Sequence, residues 1–158
     1  MKTDQQVFMQ RAIELSETGM QGGKGGPFGC VVVKDGQIVG EGFNQVTSTN
    51  DPTAHAEVVA IRNACKTLNT FQLDGCEVYT SCEPCPMCLG AIYWARPSAI
   101  YFANTRQDAA DIGFDDSFIY DEIVVDINHR KIPMVPFGRE HALKIFEAWR
   151  NKTDKTAY

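Results

Sequence analysis

Three of the six cysteines, Cys82, Cys85 and Cys88, fall within seven residues, and this group is the strongest constraint on the fold. The N-terminus lacks the apolar stretch of a signal peptide, so a cytoplasmic location is expected and the thiols should stay reduced. Reduced cysteines at this density indicate a metal site rather than disulfides. Because Cys85 and Cys88 lie three residues apart at the predicted start of a helix, they share one face of its first turn.

A second motif, His55-Ala56-Glu57, opens another predicted helix and supplies the third ligand, His55. The positive end of a helix dipole lowers the pKa of a thiol, so both cysteines are expected to bind as thiolates. One histidine and two cysteines leave the fourth tetrahedral position open, which is typical of a catalytic rather than a structural zinc. Soft thiolates with one imidazole also favour zinc over other metals.

Glu57 is the predicted proton shuttle of this site. Two thiolates cancel the charge of the zinc ion, so water at such a site needs a nearby base to lose its proton. Glu57 would take that proton and return it to a ring nitrogen while hydroxide attacks an amino-bearing carbon. Residues two apart point to opposite sides of a regular helix, so His55 is expected at the N-cap, before helical geometry begins.

A C-x-x-C pair alone is also typical of a structural zinc half-site or a redox pair. The main alternative is a structural zinc site with Cys82 as fourth ligand. That site would strain ligation by three cysteines on one turn, and it leaves Glu57 without a role. The two motifs together, in this order, are the signature of zinc deaminases of bases and nucleosides. Cys82 is therefore assigned to packing around the site.

Hydrophobic periodicity predicts alternating strands and helices, which indicate an α/β layer architecture. Strands are predicted at 28–33 and 38–43, joined by a hairpin turn at Asp35-Gly36, and at 77–80 and 99–103. The last strand is almost continuously apolar, so a central place in the sheet is expected for it. The early hairpin makes the sheet mixed. Helices are predicted at 4–18, with Asp4 as N-cap, at 54–68, in the second half of 82–96, and at 139–152.

The charge balance favours a small, neutral partner. With 15 basic and 20 acidic residues, the chain carries a formal charge of −5. Nucleic-acid binding depends on clustered Lys and Arg, and the sequence has no such cluster. No apolar run reaches the roughly 18 residues that a membrane span needs. We therefore expect a small-molecule substrate, with neither nucleic acid nor membrane as a partner.

On these motifs the chain resembles the cytidine deaminase superfamily and, within it, the short bacterial guanine deaminases. The Gly-Phe-Asp-Asp-Ser-Phe run that begins at Gly113 and the aromatic C-terminus, Tyr158, distinguish the second group. The resemblance implies a single domain over 1–158, a three-layer α/β/α sandwich around a mixed five-stranded sheet. It also implies one Zn²⁺ per subunit and hydrolysis of free guanine at C2 to xanthine and ammonia. The densest stretches of likeness are 25–29, 50–57, 79–97 and 113–120.

The resemblance also assigns roles around the metal. Asp116 is implied as a second catalytic carboxylate that protonates the departing amine, and Asn44 as a hydrogen-bonding partner of the base edge. Without the family, Asp115 and Asp116 are equally consistent with a helix cap and Asn44 with a turn. The resemblance implies that Phe28 and Trp94 stack on the base or line the pocket, although core packing explains both as well. Ala56 is also assigned to substrate binding.

Proteins of this group form homodimers whose C-terminal segments cross over, so the resemblance implies an arm at about 130–158 with Tyr158 closing the partner's site. The run Ile132-Pro133-Met134-Val135-Pro136 fits an extended crossing segment. Other functions compatible with the zinc motif are deamination of cytosine, adenine or a triazine, and tRNA-adenosine deamination. A non-catalytic zinc module is the alternative outside the enzymes.

Overall fold

The computed structural model describes residues 3–158 and contains a four-stranded sheet flanked by helices. The strands are β1 (Gly29–Lys34), β2 (Gln37–Phe43), β3 (Cys76–Cys82) and β4 (Ala99–Asn104). The helices are α1 (Asp4–Gln21), α2 (Val46–Thr49), α3 (Ala56–Leu68), α4 (Pro86–Ala95), α5 (Arg106–Asp111), α6 (Ser117–Val124) and α7 (Arg139–Asn151), with a 3₁₀ turn at Ile127–His129.

The sheet is mixed, as predicted, but the expectation of five strands is wrong for the described residues. The order is β2-β1-β3-β4, with β1 antiparallel to both β2 and β3, and β3 parallel to β4. After β4 the described chain forms only helices and loops. The apolar residues Ile119 and Ile123 belong to α6, where they recur at the helical spacing of four.

The central place expected for the fourth strand is also wrong, because β4 lies at the sheet edge and β3 is paired on both sides. Phe102 on β4 is 48% exposed. The sequence does not mark β3 as the central strand, because Thr80 and Ser81 make it less apolar than β4. Both are buried with hydrogen bonds to other buried groups, so they sit in the core without looking apolar.

Side chains alternate between the two faces of the sheet, and each face packs on different helices. One face carries Val31 and Tyr79, which pack with Leu15 of α1. The opposite face carries Cys30, Val32 and Val78, which pack with residues of α3 and α4. These clusters form the two interfaces of an α/β/α sandwich. The turn between β1 and β2 is the predicted Asp35-Gly36 pair, and both of its residues have a positive φ, of 49° and 74°.

The α1 boundaries differ from the prediction at both ends. Thr3, rather than Asp4, is the N-cap, because its hydroxyl accepts from the Gln6 backbone while the Gln6 side chain accepts from the Thr3 backbone. This reciprocal capping box satisfies two backbone donors at once. At the other end the helix runs through Gly19 to Gln21. No helix in the described chain is long and apolar enough to cross a membrane.

The described chain divides into two compact units at Asp116. The first holds the sheet with α1 to α5, and the second is Ser117–Tyr158. In the second unit, Arg130 donates to the carbonyls of Ile123 and Val125 and so satisfies backbone acceptors at the C-terminal end of α6. Residues 133–138 have no regular secondary structure and lead into α7.

Candidate active site

His55 is the N-cap of α3, as predicted from its spacing to Glu57. Its backbone is extended, with φ −69° and ψ 155°, and the helix begins at Ala56. The cap geometry lets the imidazole point away from the helix axis while Glu57 follows in the first turn. The His55 Nδ1 atom faces two cysteine sulfurs, those of Cys85 and Cys88.

Cys85 occupies the equivalent position on α4, where it is the N-cap with φ −64° and ψ 167° and Pro86 is the first helical residue. Cys88 lies in the first turn and is fully buried. A proline is favoured here because the first helical N–H needs no partner within the helix. Two helix N-termini thus bring together the zinc-ligand cluster, defined as His55, Cys85 and Cys88.

The donor atoms of this cluster fit a zinc ion. The sulfur of Cys85 is 3.6 Å from His55 Nδ1, and the sulfur of Cys88 is 3.5 Å from it. Zn–S and Zn–N bonds of ordinary length at a tetrahedral angle separate sulfur and nitrogen by about 3.6 Å. Cys82 does not join the cluster, because its sulfur lies 3.5 Å from the Thr105 carbonyl oxygen. The assignment of Cys82 to packing agrees with this contact.

The cluster is prepared to lose a proton before any metal binds. A hydrogen bond from the Cys88 thiol, with a second from His55, lowers the pKa of Cys85 to about 4. The pKa of Cys88 is raised because its thiol donates to Cys85 and because it is buried. The pKa of His55 is raised, chiefly by its hydrogen bond to Cys85. One thiolate therefore forms readily, and metal binding must displace the second proton.

Glu57 is buried beside the cluster, with its two carboxylate oxygens in different environments. The Thr80 hydroxyl donates to Oε1 at 3.1 Å, and the Cys88 sulfur lies 3.3 Å from Oε2. Burial raises the pKa of Glu57, which brings a carboxyl closer to the range where it can both accept and return a proton. The structure thus brings Glu57 together with the three predicted ligands.

Asn44 and Phe28 lie on a segment tied to the His55 loop. The Asn44 N–H donates to the Phe28 carbonyl at 3.0 Å, and the Gln45 N–H donates to the Ala54 carbonyl, next to His55, at 2.9 Å. Asn44 is buried, and its Oδ1 accepts from the Val46 N–H at 3.1 Å. That bond fixes the amide so that its Nδ2 group is the atom available as a donor to a ligand.

The remaining predicted site residues differ in exposure. Asp116 is half-buried, and its pKa is raised by burial and by the negative charge of Cys85. Ala56 is fully buried in the core beneath α3. Trp94 is 65% exposed on α4, and Tyr158 is 72% exposed in the second unit. Their substrate-binding roles stay predictions.

Two residues near the site were given no role by the sequence patterns. The sequence pattern predicts only that Thr80 lies in a strand. Its position just before the cysteine motif is a usable signal that its side chain lies near the metal site. Phe114 contacts Phe28 edge to face, with ring centroids 4.9 Å apart. The Gly113-Phe114-Asp115-Asp116 run predicts no contact partner for Phe114, since sequence does not say which loops meet.

Comparison with known proteins identifies the family. Residues 2–104 match the model for the cytidine and deoxycytidylate deaminase zinc-binding region. A guanine deaminase of Bacillus subtilis (strain 168) is 57% identical over 153 residues, which are 97% of this chain and 98% of that protein. The X-ray structure of guanine deaminase from Bacillus subtilis has a TM-score of 0.94, over the same shares of both chains.

More distant relatives include enzymes for guanine and for tRNA. A solved structure of guanine deaminase from Nitrosomonas europaea is 34% identical with a TM-score of 0.66, covering 69% of this chain and 63% of that one. A tRNA-specific adenosine deaminase of Aquifex aeolicus (strain VF5) is 39% identical over 98 residues, 62% of this chain and 64% of that protein. From the matched family model and the full-length relative, the chain belongs to the cytidine and deoxycytidylate deaminase family and carries its zinc-binding region.

Proposed function

We propose that this chain is a guanine deaminase that converts free guanine and water to xanthine and ammonia. The observation that carries the proposal is the Glu57 carboxylate next to the zinc-ligand cluster, in a chain 57% identical to a guanine deaminase over 97% of its length. The tRNA-specific adenosine deaminases among the relatives match a shorter part of the chain at lower identity. The acidic charge of −5 also favours a free base over a polyanion.

His55, Cys85 and Cys88 would hold the zinc ion, which supplies Lewis-acid activation of water when it is bound. Glu57 would accept a proton of the attacking water and deliver it to a ring nitrogen of guanine. The buried, raised-pKa carboxyl suits both steps. Asp116 would give a proton to the amine as it leaves C2, so that ammonia departs, and the hydroxyl proton left on C2 would return to a carboxylate as the C2 carbonyl of xanthine forms. The pKa of Asp116 is raised by burial and by the neighbouring charge of Cys85, a shift in the direction that a proton donor needs.

Asn44 would orient the base as a hydrogen-bond donor. Its Oδ1 is occupied by the Val46 N–H, which supports a contact from Nδ2 to an acceptor on the base. Phe28 would line the ring together with Phe114, its edge-to-face neighbour. Ala56 and Trp94 complete the proposed substrate-binding set.

The test compares the zinc-loaded wild type with Glu57→Gln. We expect the wild type to release one xanthine per ammonia from guanine, and the variant to keep its zinc but lose at least about 100-fold of kcat, the typical contribution of a general acid–base. Equal turnover by the two proteins would refute the role of Glu57. Retained zinc with no turnover of guanine by the wild type would refute the substrate and leave a non-catalytic zinc module as the better account.

We also propose a cytoplasmic homodimer in which the segment 130–158 crosses to the partner and Tyr158 covers the partner's pocket. Free thiols at all six cysteines support a reducing compartment. Exposed apolar side chains on α7, such as Ile145 and Phe146, support burial against a second chain. Deletion of Tyr158 is expected to raise KM for guanine in a protein that still elutes as a dimer. A monomeric wild type, or unchanged kinetics after the deletion, would refute this arrangement.

A further inference from the structure

Thr80 is a buried polar residue on the central strand β3, and it has no role in the reaction steps proposed above. Its side chain is 1% exposed. In the sheet it lies opposite Cys30 of β1 on one side and Phe102 of β4 on the other. A strand paired on both sides cannot shift without breaking two ladders of hydrogen bonds, so the position of the Thr80 backbone is fixed.

The hydroxyl of Thr80 donates to Glu57 Oε1 at 3.1 Å. Threonine is branched at Cβ, so its χ1 angle has few alternatives once the methyl group is packed. The donor is therefore held on a rigid strand while the acceptor lies on the first turn of a different element, α3. A hydrogen bond of this kind restricts the rotation of the glutamate carboxyl group.

The two oxygens of Glu57 are consequently distinguished. Oε1 is held toward the sheet by Thr80, and Oε2 lies 3.3 Å from the sulfur of Cys88, a member of the zinc-ligand cluster. Catalytic groups must keep their reacting atoms within a few tenths of an ångström of the productive position. An anchor on Oε1 leaves Oε2 as the oxygen that meets the reacting water.

We propose that Thr80 is a positioning residue that orients the Glu57 carboxylate so that Oε2 faces the zinc-ligand cluster. The proposal rests on the function proposed above, in which Glu57 moves the proton. A purely structural role would reside in the packing of the Thr80 side chain, because its methyl group fills the core. The positioning role resides in the hydroxyl, and so the two roles respond oppositely to two substitutions.

The test uses Thr80→Val, which keeps the shape and removes the hydroxyl, and Thr80→Ser, which keeps the hydroxyl and removes the methyl. We expect Thr80→Val to lose about tenfold in kcat for guanine, the value of one lost hydrogen bond, with KM within about twofold. Thr80→Ser should keep at least about half of kcat. Ser81→Ala is the matched control, since it removes a buried hydroxyl from the same strand that accepts from the Gly29 N–H and does not contact Glu57. Its kcat should stay within about twofold of the wild type.

Thr80→Val with an unchanged kcat, or Thr80→Ser with the larger loss, would overturn the proposal in favour of packing. Crystal structures of zinc-loaded wild type and Thr80→Val supply a readout that does not depend on activity. The expected result is a rotated Glu57 carboxylate in Thr80→Val, and an unchanged carboxylate overturns the proposal whichever base is the substrate. If the wild type leaves guanine intact while the carboxylate rotates in Thr80→Val, the substrate assignment fails and the positioning role stands.

Discussion

Gly42 on β2 controls how closely α3 approaches the sheet, and a methyl group there is expected to displace the active site. A Cβ at Gly42 would lie 2.4 Å from the Ala56 carbonyl oxygen and 2.6 Å from the Ala60 nitrogen, where ordinary contacts begin at 3.4 Å. The first turn of α3 must therefore move by about 1 Å, since both contacts are to backbone. This turn carries Glu57 and follows the N-cap His55.

A displacement of this size has two costs. Overpacking of a close-packed interface destabilises the fold by about 1–3 kcal/mol. Misplacement of a catalytic group by about 1 Å costs on the order of 100-fold in rate. Gly42→Ala should therefore lose about 100-fold in kcat for guanine, because Glu57 is displaced, and bind zinc more weakly, because His55 shifts relative to Cys85 and Cys88.

Gly40→Ala is the matched comparison, one helical turn further from the site. Its Cβ would lie 2.5 Å from the Ala60 oxygen and 2.6 Å from the Ala64 nitrogen, so the steric conflict is the same. We expect both variants to lose similar stability in urea unfolding, with the larger loss of kcat and zinc affinity in Gly42→Ala. Gly90→Ala, which meets nothing within 4 Å, should behave as the wild type. Equal losses of kcat in Gly40→Ala and Gly42→Ala would refute the argument from geometry.

Three further outcomes follow from contacts elsewhere in the chain. Gly25→Ala would place a Cβ 2.2 Å from Asn44 Oδ1, so steady-state kinetics should show a higher KM for guanine with a smaller change in kcat, and an unchanged KM contradicts the role of Asn44. Cys85→Ser should abolish tight zinc binding, so that a chelator lowers the unfolding temperature of the wild type and leaves the variant unchanged. Equal chelator effects on both would refute Cys85 as a ligand. Arg11 holds Glu41 through two hydrogen bonds of 2.7 and 2.8 Å and lowers the pKa of that carboxyl. A carboxyl whose pKa is lowered in the folded protein stabilises the fold at pH values above its pKa in the unfolded chain. Glu41→Gln should therefore lower the free energy of unfolding by about 1 kcal/mol at pH 7, a small value because solvent screens this partly exposed ion pair. The difference should shrink as the pH falls below about 4.3, the ordinary pKa of glutamate, and vanish once the pH is below the lowered pKa of Glu41; a difference that does not shrink with acid contradicts the assignment.

Each half of the metal site was predictable from sequence because its geometry is local. Cys85 and Cys88 are brought together by one helical turn, and the extended backbone of His55 follows from its spacing to Glu57. The early hairpin was equally local, since Asp35-Gly36 adopts the two positive φ angles that such a turn needs. His55 and Cys85, in contrast, meet across 30 residues, and only the deaminase signature of the two motifs predicts that contact.

The features that sequence did not provide depend on contacts between distant segments. The hydrogen bond of Thr80 joins β3 to α3 across 23 residues, and nothing in the strand pattern indicates its acceptor. The edge position of β4 depends on which strands are neighbours, and apolar content alone does not distinguish an edge strand from a central one. The fifth strand is an expectation from the family resemblance, and no pattern in the sequence marks its position; the apolar residues around Ile123 lie in α6.

Action on free guanine is tested by measuring ammonia release by the zinc-loaded protein from guanine, adenine, cytosine, guanosine and cytidine, assayed separately. We expect conversion of guanine to xanthine with kcat/KM at least about 100-fold above that of any other compound, since a site that hydrogen-bonds its substrate discriminates strongly. Faster release from another base, or release from none of the five, would contradict it.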